Sequence, residues 1–379
     1  MRYFSMDNSI TFKDIKKGNY SSIYHLIFQN EKLSKQEIAN QLHLSLPTVT
    51  QNLVRLEKEK LIEKSGQFES SVGRRAVAYA ICPQARISIG VEIQKRSVQI
   101  LAIDLLGSAF QQERLAMDYS NEDRYYKELC QAVQDFISSL DVIDEQILGI
   151  GFAVQGLTSH DGKKITYGKI LISTGLDIEV FSQYLPYRCM FLHDAKCAAT
   201  TELWVRNDID DAVYLSIGPH LGGAIIINSQ IYMGKEGHSG TVEHMTINPD
   251  GPACYCGKKG CMETFSSLNA LLVEDETLDS FFQQVRSGIS SYVKRWDTFL
   301  DHLAISINNI HLVLNREFIL GGHLSPYLTE EDIETLHEKV NNKTAFPSND
   351  PFIYISRSSA NGVSIGAAIP FVQSFLNEI

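Results

Sequence analysis

The sequence predicts an α/β body preceded by a small helical head, on the strength of three observations. The first eighty residues are basic while the remainder is acidic. Capped helical segments fill the head, and from Arg86 onward strand patterns alternate with helix patterns. A later glycine-punctuated loop gathers three cysteines and a histidine.

A chain of 379 residues, 44% hydrophobic and 21% charged, has the composition of an ordinary soluble protein and holds two to three domains. No apolar run reaches the ~20 residues of a membrane span, and the N-terminal stretch has no apolar signal core, so no membrane partner is expected. Seven cysteines, of which three cluster and the rest scatter, suit a reducing cytoplasm. Within the net charge of −11, residues 1–80 carry 12 Lys/Arg against 8 Asp/Glu, and the rest carry 22 against 37. A basic module on an acidic body is how a DNA-binding head sits on a sensing or catalytic domain.

Residues 20–30 place Ile23, Leu26 and Ile27 on one helical face. Ser34, with Glu37 three residues on, forms a capping box for a short helix that runs toward a turn at Leu42-His43-Leu44. The next helix starts at Ser45 as its N-cap, with Pro47 in the first turn, where a missing N–H does no harm. Val49, Leu53 and Leu56 form its apolar stripe, which turns Thr48, Thr50, Gln51 and Arg55 outward. A strand opening at Leu61, a polar loop with Arg74 and Arg75, and a second strand over 76–81 complete a winged hairpin.

Helix, short turn and polar-faced helix is the helix-turn-helix arrangement, whose second helix enters the major groove. Ser45, Pro47, Thr48, Thr50, Gln51 and Arg55 are therefore expected at DNA, with Thr48, Thr50 and Gln51 at base edges. Arg74 and Arg75 are placed for phosphates or an A·T-rich minor groove. A small helical protein-interaction module is the plainer alternative, but capping, turn, stripe and basic wing agree on the first reading.

In the body, strands are expected at 87–93 and 97–104, then a helix with Leu129, Val133 and Ile137, then a buried strand at 147–154. A glycine-turned hairpin from Asp211 starts a second α/β lobe. His244, Cys254, Cys256 and Cys261 then offer the nitrogen and sulfur set that tetrahedral Zn²⁺ prefers, and a closed four-ligand site of this kind is structural. Disulfide pairing is the alternative; a Cys-x-Cys pair suits a shared metal better than a mutual disulfide.

These residues together resemble the ROK family of repressors and sugar kinases, and within it the regulators that carry an N-terminal winged helix. The resemblance rests on the His244/Cys254/Cys256/Cys261 signature ending in Gly260-Cys261-Met262-Glu263, on Gly149-Ile-Gly-Phe-Ala-Val-Gln-Gly156, on Asp194-Ala195, on Gly321-Gly322 and on Gly366-Ala367-Ala368. It implies a two-lobed actin/hexokinase-like (ribonuclease H-like) α/β fold with a sugar in the cleft. The implied division is a winged helix-turn-helix at 1–82, a small lobe at 83–196 plus 362–379, and a large lobe with the zinc site at 197–361.

The family comparison also bears on chemistry. Where the sugar kinases have an Asp followed by glycines and Thr, this chain has Glu92-Ile93-Gln94-Lys95-Arg96; where they have Gly-Thr-Gly, it has Gly218-Pro219-His220. Neither stretch can bring its backbone to a phosphate as a kinase loop does, because long side chains replace the glycines and proline removes a donor. No kinase activity is expected. Asp194 matches the kinases' catalytic base, Glu263 a glutamate at the sugar ring, and His244 a histidine that binds zinc through one nitrogen and faces the sugar with the other. Two positions depart: His193 stands for an asparagine, and Thr241 with Glu243 replaces the Glu and Gly of a Glu-x-Gly-His motif. His193, Asp194, His244 and Glu263 are the ligand-binding set the resemblance implies.

The expectation is thus a cytoplasmic, sugar-responsive repressor. It would bind a palindromic, A·T-rich operator as a homodimer or homotetramer, take a sugar or sugar phosphate as effector, and hold one structural Zn²⁺. An ATP-dependent sugar kinase with an appended DNA-binding head is the alternative.

Overall fold

The computed structural model describes residues 12–68, 76–206, 208–358 and 360–379. The head opens with α1 (Phe12–Phe28), β1 (Leu33–Ser34), α2 (Lys35–Gln41) and α3 (Leu46–Lys58), and closes with the hairpin of β2 (Ile62–Gln67) and β3 (Val77–Ile81). Its local signals act as their chemistry requires. Ser34 accepts from the Glu37 amide while Glu37 accepts from the Ser34 amide, and Ser45 caps α3 at the Thr48 amide. Val49, Leu53 and Leu56 are buried, as the stripe demands. β1, β3 and β2 form a three-stranded antiparallel sheet. Arg74 and Arg75, placed in the wing by the sequence, lie outside the described residues.

The first body sheet comprises β4 (Ile87–Ile93), β5 (Ser97–Ile103), β6 (Ala109–Ala116), then, past α4 (Asp123–Ser139), β7 (Ile147–Val154). A small hairpin of β8 (Leu157–Thr158) and β9 (Ile165–Tyr167), and α5 (Glu179–Ser182), lead to its last strand, β10 (Cys189–His193). The spatial order is β10-β7-β4-β5-β6, with β4, β7 and β10 parallel and β5 and β6 antiparallel. α6 (Asp194–Val205) follows immediately.

The second sheet repeats the plan. It has β11 (Ala212–Ile217), β12 (Leu221–Ile227) and β13 (Gln230–Ile231), then, after α7 (Glu263–Ser266), α8 (Leu268–Leu271), α9 (Leu278–Arg286) and α10 (Ser290–Leu314), β14 (Glu317–Gly321). α11 (Glu330–Asn341), β15 (Ile353–Ile355) and α12 (Gly362–Glu378) complete the chain. The order β15-β14-β11-β12-β13 is that of the first sheet strand for strand, with the same mixture of directions. Two copies of one mixed-sheet plan make a two-lobed α/β body.

The central strand β4 is buried along its whole length, as expected of a strand covered on both faces. α4 covers one face through Leu129, Val133 and Phe136. α12 lies on the other so closely that a Cβ at Gly151 would overlap the Ala367 carbonyl. α12 also packs against α6, where a Cβ at Gly366 would overlap the Cys197 carbonyl. The sequence-based lobe boundary at 196/197 falls inside α6, whose Ala198 and Ala199 pack under the second sheet with Tyr214, Ala224 and Ile226.

Head and body share one apolar cluster. Ile23, Tyr24 and Ile27 of α1, Leu101 and Ile103 of β5, and Ala368, Ile369 and Val372 of α12 are all buried in it. Tyr24 meets Phe375 edge-on, with ring centroids 6.3 Å apart, and the Arg86 guanidinium lies over the Phe375 ring at 5.7 Å. Among the described residues, no helix is long and apolar enough to cross a membrane.

Candidate ligand pocket, metal centre and DNA-facing helix

The parallel strands β7 and β10 end side by side at Val154 and His193, and a crevice opens beyond their carboxyl ends, where open α/β sheets place ligands. The residues following β7, the His193–Ala195 corner leading into α6, the β11–β12 turn and the 238–255 loop all border a cavity of about 240 Å³. His193, Asp194, His220, Glu243, His244 and Tyr255 supply its polar wall, with Lys169 also lining it.

Asp194 opens α6 and accepts a hydrogen bond from the Ala195 amide at 2.8 Å; His193 Nε2 stands 3.3 Å from the same oxygen. Burial pushes the Asp194 carboxyl up to about 7, and the nearby Glu92 carboxylate adds to the effect. Burial likewise pushes His193 down to about 3, so its ring is neutral, and its Nδ1 has no partner within the protein. Lys196, one turn into α6, is buried and donates to the Gly237 carbonyl at 2.5 Å, which ties α6 to the 233–240 loop.

Glu263 reaches the cavity only through another residue. One of its oxygens takes His220 Nδ1 at 2.7 Å and the other takes the Leu221 amide at 2.7 Å. It is His220 that lines the cavity, beside Glu243 and His244. The sequence does not single out His220 as a lining residue and marks Glu243 only as a departure; the signal available is a large polar residue standing where the family has glycine. Tyr255 closes that side, edge-on to both His220 (5.3 Å) and His244 (5.2 Å).

The cysteine-bearing loop folds by short-range pairing. Thr246 bridges Cys261 and Ala253 bridges Lys259, while Gly257, at φ 88°, turns the chain between Cys256 and Lys258. As a result the donor atoms of His244, Cys254, Cys256 and Cys261 all lie within 4.8 Å of one another. Cys254 Sγ is 3.8 Å from His244 Nδ1, and Cys256 Sγ is 3.7 Å from Cys261 Sγ. With metal–sulfur bonds of ~2.3 Å, donors at the corners of a tetrahedron stand ~3.8 Å apart, so the set fits a closed tetrahedral metal site. Nδ1 on the metal side leaves His244 Nε2 toward Glu243, whose Oε1 is 3.9 Å away.

The region matching the first phosphate loop of the kinases is a tight turn between β4 and β5, closed by the Gln94 amide on the Ser97 carbonyl at 2.9 Å. Glu92 accepts from Gln94 Nε2 at 2.6 Å, and Gln94 in turn accepts from Ser97 Oγ at 3.0 Å.

On α3, Ser45 and Thr48 hydroxyls are 2.8 Å apart, and Thr50 Oγ1 donates back to the Leu46 carbonyl at 2.7 Å. Pro47 and Gln51 are exposed. Arg55, expected to face DNA, keeps its side chain 59% exposed while it bonds Glu59 at 2.9 Å and lies over the Tyr20 ring at 4.2 Å.

Residues 88–373 match the sequence profile of the ROK family. The chain belongs to the ROK family. Residues 22–63 match a winged helix-turn-helix DNA-binding profile. Among curated relatives, the xylose repressor of Bacillus subtilis (strain 168) is 28% identical over 266 residues, 69% of this chain and 69% of the relative. The DNA-binding transcriptional dual regulator NagC of Escherichia coli (strain K12) is 26% identical over 278 residues, 73% of this chain and 68% of NagC. Among solved structures, a ROK family transcriptional regulator described as a homolog of the E. coli MLC protein superposes with a TM-score of 0.76 at 19% identity, covering 96% of this chain and 97% of that one. A ROK family glucokinase from Streptomyces griseus, with glucose and AMPPNP, gives 0.66 at 18% identity, covering 75% of this chain and 98% of the kinase. The regulator match thus covers 96% of this chain where the kinase match covers 75%.

Proposed function

We propose that this ROK protein is a sugar-responsive transcriptional repressor of carbohydrate genes, with its effector in the cavity at the start of α6. The observation that carries the reading is the pairing of a winged helix-turn-helix head with a polar cavity in one molecule, joined by a shared apolar cluster. Relatives named as a xylose repressor and as NagC support it. The operator is an A·T-rich palindrome read by a homodimer or homotetramer, because paired recognition helices read paired half-sites.

Kinase chemistry does not fit the site. The β4–β5 turn is bonded within itself through Glu92, Gln94 and Ser97, and Pro219 offers no amide. Asp194 then accepts from a sugar hydroxyl without transferring its proton onward. His244, Cys254, Cys256 and Cys261 would hold one Zn²⁺, which when bound locks the 244–263 loop and fixes the His244 ring.

The test is electrophoretic retention of operator DNA, selected from a random library by the purified full chain, with a sugar panel added. Release by one sugar is the expected result. Turnover of ATP with any hexose in a coupled assay, abolished by Asp194→Asn, would establish the sugar-kinase alternative instead.

A further inference from the structure

Resting on the sugar-sensor reading, a narrower statement about the effector follows from the atoms of the cavity wall. Two of those atoms are buried and have no partner in the protein: Oε2 of Glu243, a residue 5% exposed, and Nδ1 of His193, a residue 7% exposed. Buried polar atoms are almost always hydrogen-bonded, so a wall atom left open in this way points to a group that arrives with a ligand. The ammonium near Glu243 is already committed, since Lys196 donates to Gly237.

His220 adds to the same pattern. Glu263 spends both oxygens on the His220 ring and the Leu221 amide. With Nδ1 on Glu263, the His220 ring keeps Nε2 for a ligand. Asp194 and Glu243 therefore bring carboxyl oxygens to the cavity beside His220, and Lys169, an exposed residue, is the one Lys or Arg among the lining residues. Such a wall pairs with hydroxyl or ammonium hydrogens and sets only Lys169 against the charge of a phosphate dianion. The cavity, about 240 Å³, falls below the ~300–1,000 Å³ typical of sites for larger ligands, which suits a single sugar ring.

We propose that Glu243 and His220 select the effector, and that it is an unphosphorylated monosaccharide held through its hydroxyl or amino hydrogens. Phosphate esters of the same sugar are rejected.

Isothermal titration of the full-length, zinc-loaded protein decides this. The panel is xylose, glucose, glucosamine and N-acetylglucosamine, with glucose 6-phosphate, glucosamine 6-phosphate and inorganic phosphate beside them. At least one free sugar should bind, with the corresponding phosphate ester about tenfold weaker or worse. Glu243→Gln should weaken the free sugar by about tenfold or more, as loss of a buried carboxyl partner does, and narrow the gap to the ester, with Tm and metal content unchanged. A loss larger for glucosamine than for glucose identifies the donor at Glu243 as an ammonium; an equal loss identifies a hydroxyl. A phosphate ester binding more tightly than its free sugar overturns the proposal and leaves the sugar-sensor reading standing, as does free-sugar affinity unchanged in Glu243→Gln. Should that variant lose metal or fold, Glu243→Asp, which withdraws the same carboxylate by one methylene, replaces it. No binding by any sugar or ester removes both the proposal and the reading beneath it.

Discussion

Asp194 sits where its charge is opposed. Burial, with Glu92 close by, holds its carboxyl near 7, against an unfolded value of about 3.9. A carboxyl raised in the folded state favours folding while it is protonated, so the contribution is full below the ordinary carboxylate range and is lost as pH rises through about 7. Thermal denaturation should therefore show the wild type losing more Tm between pH 5 and pH 8 than Asp194→Asn does. The side chain keeps 28% exposure to the cavity, so a bound sugar can reach it and the same titration should appear in ligand affinity. Cys256→Ser removes one donor of a four-donor cluster; metal analysis should fall from about one zinc per chain toward zero, with ligand response lost alongside. The His244, Cys254, Cys256 and Cys261 cluster was legible in the sequence because its spacing is local and its chemistry is narrow. The place of His220 on the cavity wall was not, since it depends on Glu263 meeting its ring after α7 has packed, and no spacing rule states that.

Helix α3 divides its outward residues between two tasks. Ser45 is spent on the cap, and Ser45→Ala should cost about 1 kcal/mol of head stability, read by denaturant unfolding. Arg55 is held by Glu59 and Tyr20 while its side chain stays exposed. Gln51 stays exposed, at a position from which base edges are read. Gln51→Ala should weaken operator binding by about 1–3 kcal/mol, with binding to unrelated DNA and Tm unchanged. Fluorescence anisotropy on both DNAs distinguishes that from a general loss. Caps, turn and apolar stripe were readable because each is fixed within a few residues. The contact of Arg55 with Tyr20 was not, because Tyr20 comes to it from a different helix.

At the scale of the whole molecule, α6 and α12 connect the cavity to the head. α6 begins with Asp194, α12 lies against it at Gly366, and Phe375 near the far end of α12 meets Tyr24 of α1. A ligand shifts DNA affinity only through states it binds unequally, and this packed route is where two such states would differ. Phe375→Ala should leave the sugar Kd in place while reducing the sugar's effect on DNA release, measured by titrating DNA with and without saturating sugar. Alternating strands and helices made the α/β class legible, but the matching order of the two sheets was not, because the parallel pairs β4–β7 and β11–β14 are chosen across long intervening segments. The position of α12 has one more consequence, for biosynthesis. The head is synthesised before α12, yet Ala368, Ile369 and Val372, which finish its apolar seat, come after every other described strand and helix has been made. A nascent chain stalled before Gly362 therefore carries a head whose seat on the body is incomplete, and the two lock together only once α12 has emerged.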